Sequence, residues 1–190
     1  DKLRLLHVAN LNAVKDQTTL LHGFAEFLRR GAQAELVIVG PGHLDLASRL
    51  QLIAGNLEIA SHVTFVGHRP QVDLPALYRQ ADVFVLTSRY ESQGLVVLEA
   101  AACGVPTVGT LVGSVRDLHP TAALGVPVGN AMALANSLHR MALDRDLRRS
   151  VGWQAMQRAR ADYDVQPASR RFTELYSELA FGLTTVDRAP

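Results

Sequence analysis

The sequence predicts an α/β fold: a doubly wound, mostly parallel sheet of six strands with helices on both faces. Three observations carry this reading. Short β-rich apolar runs alternate with helix-length segments along most of the chain, the order expected of a parallel sheet linked by crossover helices. The run Val83-Phe84-Val85-Leu86-Thr87 is apolar and β-rich almost throughout, as in a strand buried on both faces. Glycine stands where runs end, at Gly31, Gly40-Pro41-Gly42 and Gly67.

Taken in order, Leu3 to Asn10 reads as the first strand and runs into a loop from Leu11 to Asp16. Gln17 to Arg30 places Leu20, Leu21, Phe24 and Leu28 on one face at helical spacing, and Gly31 closes the helix. Ala34 to Val39 is a second strand and Leu44 to Leu57 a second helix. Val63 to Val66 is a third strand, stopping at Gly67; Val72 to Ala81 is helical. Val83 to Thr87 is the fourth strand, and the Leu, Glu and Ala residues from Gly94 to Cys103 form a short helix. Pro106 to Thr110 is a fifth strand and Leu124 to Val128 a sixth, where Pro127 suits a sheet edge. From Ala131 to about Gly182 the pattern gives three helices, broken near Asp144 and again at Gln166-Pro167.

Length and composition narrow the possible classes. At 190 residues, 48% of them hydrophobic, residues 1–190 are enough for one well-buried domain and few for two. The net charge of +1, with acids scattered among the arginines, gives no broad basic face and argues against nucleic acid as a partner. The lone Cys103 cannot close an internal disulfide, and its apolar neighbours suit a small hydrophobe. No apolar run approaches the ~20 residues that span a bilayer, and no signal peptide follows Asp1-Lys2, so we expect a soluble cytoplasmic domain. A chain that opens on Asp1, almost directly on a strand, leads us to expect a piece of a longer protein.

In a sheet of this kind, ligands bind beyond the carboxyl ends of the strands, where the strand order reverses. The loops at Leu11 to Lys15, Gly40 to His43, Gly67 to Arg69, Thr87 to Gly94 and Thr110 to Ser114 all leave strands at that edge. Among them, Ser88 to Ala100 joins two carboxylates eight residues apart, Glu91 and Glu99, to a strand-loop-helix transition. The first N–H groups of the helix, at Gly94, Leu95 and Val96, lack intrahelical partners and form a natural phosphate seat. A carboxylate, with two acceptor oxygens, suits the paired hydroxyls of a ribose or a sugar. On spacing alone, the plainer reading of the pair, a loop acid and a solvated helix acid, is the favoured one.

Read as a whole, Glu91-Ser92-Gln93-Gly94-Leu95-Val96-Val97-Leu98-Glu99-Ala100-Ala101-Ala102-Cys103-Gly104-Val105-Pro106 closely resembles the E-x7-E signature of retaining GT-B glycosyltransferases, in particular family 4. Its usual form there is E-G-F-G-L-V-x-L-E-A-M-A-C-G-x-P. Val63-Thr64-Phe65-Val66-Gly67 is similar to that family's V-x-F-x-G strand, and Asp82 to Ser88 to its A-D-V-F-V-x-P-S. Leu143-Asp144-Arg145-Asp146-Leu147-Arg148-Arg149 is similar to its L-x-D-P-x-L-R. The resemblance implies a Rossmann-like domain that binds a nucleoside diphosphate sugar. On it Glu99 holds the ribose, Glu91 lies by the donor sugar, and the backbone of Gly94 to Val96 holds sugar and diphosphate. The loop Gly67-His68-Arg69 lies against the base. The sequence departs at Ser92 and Gln93, where the family often has Gly and Phe.

Lys15 is either a solvated loop lysine or a point charge for the diphosphate. Only Lys2 and Lys15 are lysines among 19 basic residues, and the family's K-G element falls on Lys15-Asp16. The arginine that the family commonly carries five residues before that lysine is here Asn10. Gly113 falls on the first residue of a G-G pair that leads into the donor loop. The seven histidines show no metal-ligand spacing, and GT-B enzymes need no metal at the diphosphate, so neither metal nor cofactor is expected. Ala9-Asn10-Leu11-Asn12 does not supply G-x-G-x-x-G for a dinucleotide, and hydrolase and NTPase motifs are lacking. The expectation is the C-terminal, donor-binding half of a retaining glycosyltransferase, with Glu91 and Lys15 as the residues nearest the chemistry. Its sugar, lipid or polysaccharide acceptor would be held by an N-terminal half not in this chain. Arginines at 145, 148, 149, 158 and 160 read most simply as solvated helix faces, with contact to an anionic membrane surface as the alternative. A non-catalytic nucleotide-sugar module of the same fold is the alternative; a flavodoxin-like domain would need an acidic cluster after the first strand.

Overall fold

The structure, a computed structural model, describes residues 2–186. Six strands form one sheet: β1 (Leu3–Val8), β2 (Ala34–Val39), β3 (Val63–Gly67), β4 (Val83–Leu86), β5 (Thr107–Thr110) and β6 (Ala123–Val126). Their order is β3-β2-β1-β4-β5-β6, and all five pairings are parallel. The order reverses between β1 and β4, which pair at Leu5–Val83 and Leu6–Phe84. The helices are α1 (Gln17–Arg29), α2 (Leu44–Asn56), α3 (Leu74–Arg79), α4 (Leu95–Ala102), α5 (Ser114–Leu118), α6 (Ala131–Leu143), α7 (Arg145–Asp162) and α8 (Val165–Val186).

Because successive strand side chains point to opposite faces, an apolar residue at every position builds two cores. Leu5, Leu36, Ile38, Val83 and Val85 meet Leu20, Phe24 and Phe27 of α1 and Leu134 and Leu138 of α6 on one face. Leu6, Val8, Val37, Phe84 and Leu86 meet Tyr78 of α3, Val97 of α4, Val115 of α5 and Ala155 of α7 on the other. Both cores lie against β1 and β4, so the junction where the order reverses is covered on both faces.

Four local differences from the sequence reading have simple causes. A short helix, α5, follows Gly113; five residues are too few for a helical period to show. The stretch from Val72 divides into a 3-10 turn, Gln71–Asp73, and α3, with a proline in the first turn of α3. β6 stops at Val126, since Pro127 has no N–H to extend the ladder. The final break falls at Tyr163-Asp164, and Pro167 stands in the first turn of α8, where a missing N–H costs no hydrogen bond.

Candidate functional site

The loops leaving β1 and β4 meet over the reversal point. The β1 loop ends on Asp16, the N-cap of α1, whose φ of 48° and ψ of 49° are left-handed. Aspartate tolerates that conformation better than most residues, and its carboxylate accepts the Thr19 N–H at 3.2 Å. Two bonds tie this loop to the next: Thr87 Oγ1 donates to the Lys15 carbonyl at 3.0 Å, and the Arg89 N–H to that of Val14 at 2.7 Å. The Arg89 guanidinium lies 3.0 Å from Asp16 Oδ2. So held, Lys15 Nζ stands 2.5 Å from Glu91 Oε1, and Ser88 Oγ donates to the same oxygen at 2.7 Å. Their side chains are 23% and 10% exposed, so water screens this ion pair less than a surface one.

Beneath the pair, His7 is fully buried. Its Nδ1 is 2.9 Å from the Val85 carbonyl and its Nε2 is 3.3 Å from Gln17 Nε2, which also donates to the Asn10 carbonyl at 3.1 Å. A carbonyl only accepts and an amide nitrogen only donates, so this chain of bonds needs a neutral ring with its proton on Nδ1. Burial pulls the His7 pKa down to about 4, against the opposing pull of the Val85 carbonyl.

The start of α4 is formed by Gly94 in the left-handed region, φ 80°, where a side chain would strain the backbone. Among the described residues, the N–H groups of Leu95 and Val96 have no acceptor. The loop that carries Glu91 is braced from behind. Ser114 donates both its N–H and its Oγ to the Gln93 carbonyl at 2.6 Å, and Thr110 Oγ1 donates to the Ser88 carbonyl at 2.6 Å. A Cβ on Gly113 would stand 2.5 Å from that Gln93 oxygen and 2.8 Å from Glu91 Cβ; no larger residue fits.

A cleft of about 310 Å3 opens here, lined by Asn10, Lys15, His68, Arg69, Leu74 and Val96 among others. His68 and Arg69 are exposed at its mouth, just beyond Gly67, whose carbonyl accepts the Gly40 N–H at 2.9 Å. Glu91 reaches the cleft through Lys15. Glu99 and Leu95 lie on the next face of α4, in a recess of about 500 Å3 shared with Gln71 and Gln93. There the Tyr78 hydroxyl donates to Glu99 Oε2 at 2.8 Å; burial, and then this bond, pushes the phenol pKa up. Glu99 is thus not among the residues that line the cleft itself. Gly113 stands behind Glu91 and not in the cleft.

Some of these residues carry no signal in the sequence. His7, Gln17 and Tyr78 sit at core positions of ordinary elements, and their bonds appear only in three dimensions. Thr87, Ser88 and Thr110 did carry one: hydroxyls at the ends of otherwise apolar strands. Burial raises the Cys103 thiol pKa, which leaves it a poor nucleophile. Among the described residues, no three His, Cys, Asp or Glu side chains converge as metal ligands would, and no helix is long and apolar enough to cross a membrane.

Fold and site together define a Rossmann-like α/β domain whose cleft, lined by Lys15, Arg69 and Val96 at the start of α4, lies at the topological switch point. Residues 1–158 match the family model "Glycosyl transferases group 1", and the chain belongs to that family. It is 36% identical over 180 residues to D-inositol 3-phosphate glycosyltransferase of Corynebacterium jeikeium (strain K411), a match that covers 90% of this chain and 42% of that protein. Anabaena Alr3699/HepE, solved in complex with UDP and glucose, superposes with a TM-score of 0.84 at 24% identity, covering 93% of this chain and 48% of that one. The C-terminal domain of a group 1 family glycosyl transferase (LpcC) from Francisella tularensis superposes with a TM-score of 0.76 at 17% identity, covering 85% and 87%. At such identities the two structures show the fold. The chain spans less than half the length of its curated relative.

Proposed function

We propose that this chain is the donor-binding, C-terminal half of a retaining, family 4-like glycosyltransferase, working on a nucleoside diphosphate sugar. One observation carries the proposal: in a group 1 chain, Lys15, paired with Glu91, and Val96, which with Leu95 has a free N–H at the start of α4, line the switch-point crevice. Two likenesses support it. One neighbour is solved with UDP and glucose, and another of nearly this chain's extent is itself a C-terminal domain. As the glycosidic bond breaks, negative charge grows on the leaving diphosphate. Lys15 and the α4 N–H groups meet that charge without the aid of a metal. Glu91, paired to Lys15 in the free protein, exchanges the ammonium for the donor sugar's hydroxyls, and Glu99 takes the ribose diol; both position the donor and neither is a nucleophile. The acceptor, a sugar, lipid or polysaccharide hydroxyl, is bound by an N-terminal half across the cleft. The parent enzyme works in the cytoplasm, in peripheral contact with the inner face of the membrane.

A second reading, a nucleotide-sugar module without catalysis, draws on Asn10 in place of the family's arginine and Gln93 in place of its phenylalanine. Calorimetric titration of the chain with UDP, GDP, ADP and their sugars tests the binding claim and identifies the base. Glu99→Ala lowers affinity for the best binder about tenfold to a hundredfold, the scale of a lost charge-assisted hydrogen bond. Unchanged affinity would remove Glu99 from the site. Transfer by the chain rejoined to its N-terminal half separates the two readings.

A further inference from the structure

The donor cleft occupies the carboxyl edge of the sheet. At the opposite edge, where the strands begin, lies a larger cavity of about 580 Å3. Lys2 at the start of β1, Asp82 before β4, and Arg145, Arg148 and Arg149 of α7 supply its charged lining. Four cations thus face one carboxylate, which already accepts the Arg4 N–H at 2.8 Å. Lys2 is paired with Glu35 at 2.9 Å, but among the described residues none of the three arginines makes an ion pair. Arg148 donates to the Met141 carbonyl at 2.5 Å and so braces the end of α6; Arg145 and Arg149 are exposed.

Beyond the bond of Arg148 to the end of α6, helix stability does not explain these charges. Arg145 and Arg148 stand in the first turn of α7, the positive end of its dipole, where acids are the favoured residues. Like charges gathered on a concave wall focus a positive potential, and guanidinium groups match phosphate in geometry. Leu3, Ala32 and Ala142 provide an apolar side wall.

We propose that this cavity binds a phosphate-bearing anion with a small organic group, either a soluble phosphate ester or a phospholipid headgroup, independently of the donor cleft. The test uses the full chain carrying Lys15→Ala, which weakens phosphate binding at the donor cleft. Inorganic phosphate, pyrophosphate and glycerol 3-phosphate are titrated calorimetrically, and vesicles of phosphatidylglycerol or phosphatidylcholine are co-sedimented with the chain. The expected result is one site filled by a soluble phosphate with a Kd below about 1 mM, or retention on phosphatidylglycerol but not phosphatidylcholine vesicles. The first outcome assigns a soluble ester and the second a lipid. In either case Arg145→Ala with Arg149→Ala weakens binding at least tenfold while the melting temperature holds. Binding in neither arm, or binding that the double substitution leaves unchanged, overturns the proposal.

Discussion

His7 connects three segments of the site through two ring nitrogens, and the bond from Gln17, which Nε2 must accept, requires it neutral. With an ordinary pKa near 6.5 unfolded and about 4 folded, the unfolded chain binds the extra proton between those values. His7's contribution is therefore complete above pH 6.5 and is lost as pH falls towards 4, by roughly 3 kcal/mol over that span. Urea unfolding at pH 7, 5 and 4 checks this: His7→Phe is less stable than wild type at pH 7, and the gap closes as the pH falls. A constant gap would place the acid sensitivity elsewhere. Asp16 shows how one residue meets two demands. The family's K-G element has glycine where this chain has Asp16, and the position is left-handed; the aspartate accepts the strain and caps α1 in return. Asp16→Ala loses the cap and keeps the strain, costing about 1–2 kcal/mol in thermal unfolding. Asp16→Gly, free of the strain, costs less. Lys15 and Glu91 are legible in the sequence as separate candidates, but their contact spans two loops 76 residues apart, and no local pattern encodes it.

At the scale of the element, the start of α4 is held by its neighbours more than by its own sequence. Gly94 supplies the turn, and Gly113, Ser114 and Thr110 hold the Glu91 loop from behind. Ser114→Ala removes one of two bonds to the Gln93 carbonyl and leaves the other. It should lower stability by about 0.5–1.5 kcal/mol and weaken nucleotide binding without abolishing it; equal binding by calorimetry would show that the brace does not reach the site. The helix at α4 was legible because Leu, Glu and Ala run unbroken there. α5 was not, since its five residues hold too little period and take their shape from the hydrogen bonds of Ser114 and its packing on β5 and β6. The end of β6 and the start of α8 moved by two and three residues for a related reason: a proline limits where a ladder ends but does not bar the first turn of a helix.

For the whole molecule, alternation of apolar strands and amphipathic helices was enough to read the sheet and the edge at which the candidate loops gather. The strand order was not written locally, because β1 meets β4 through a pairing some 78 residues apart, a separation also seen in the Arg4–Asp82 bond. Two cores share those central strands, so Phe24→Ala, which opens one of them, should cost about 3–5 kcal/mol in denaturant unfolding and blur the cleft with it. A domain that supplies only the donor side should bind nucleotide weakly and turn nothing over until rejoined to its other half. The most direct test of the central claim is a crystal structure of the chain with a nucleoside diphosphate sugar. The account predicts the diphosphate within hydrogen-bond reach of the Leu95 and Val96 N–H groups, Lys15 turned from Glu91 to a phosphate oxygen, and the ribose on Glu99. A nucleotide seated elsewhere, with Lys15 still bound to Glu91, would contradict it.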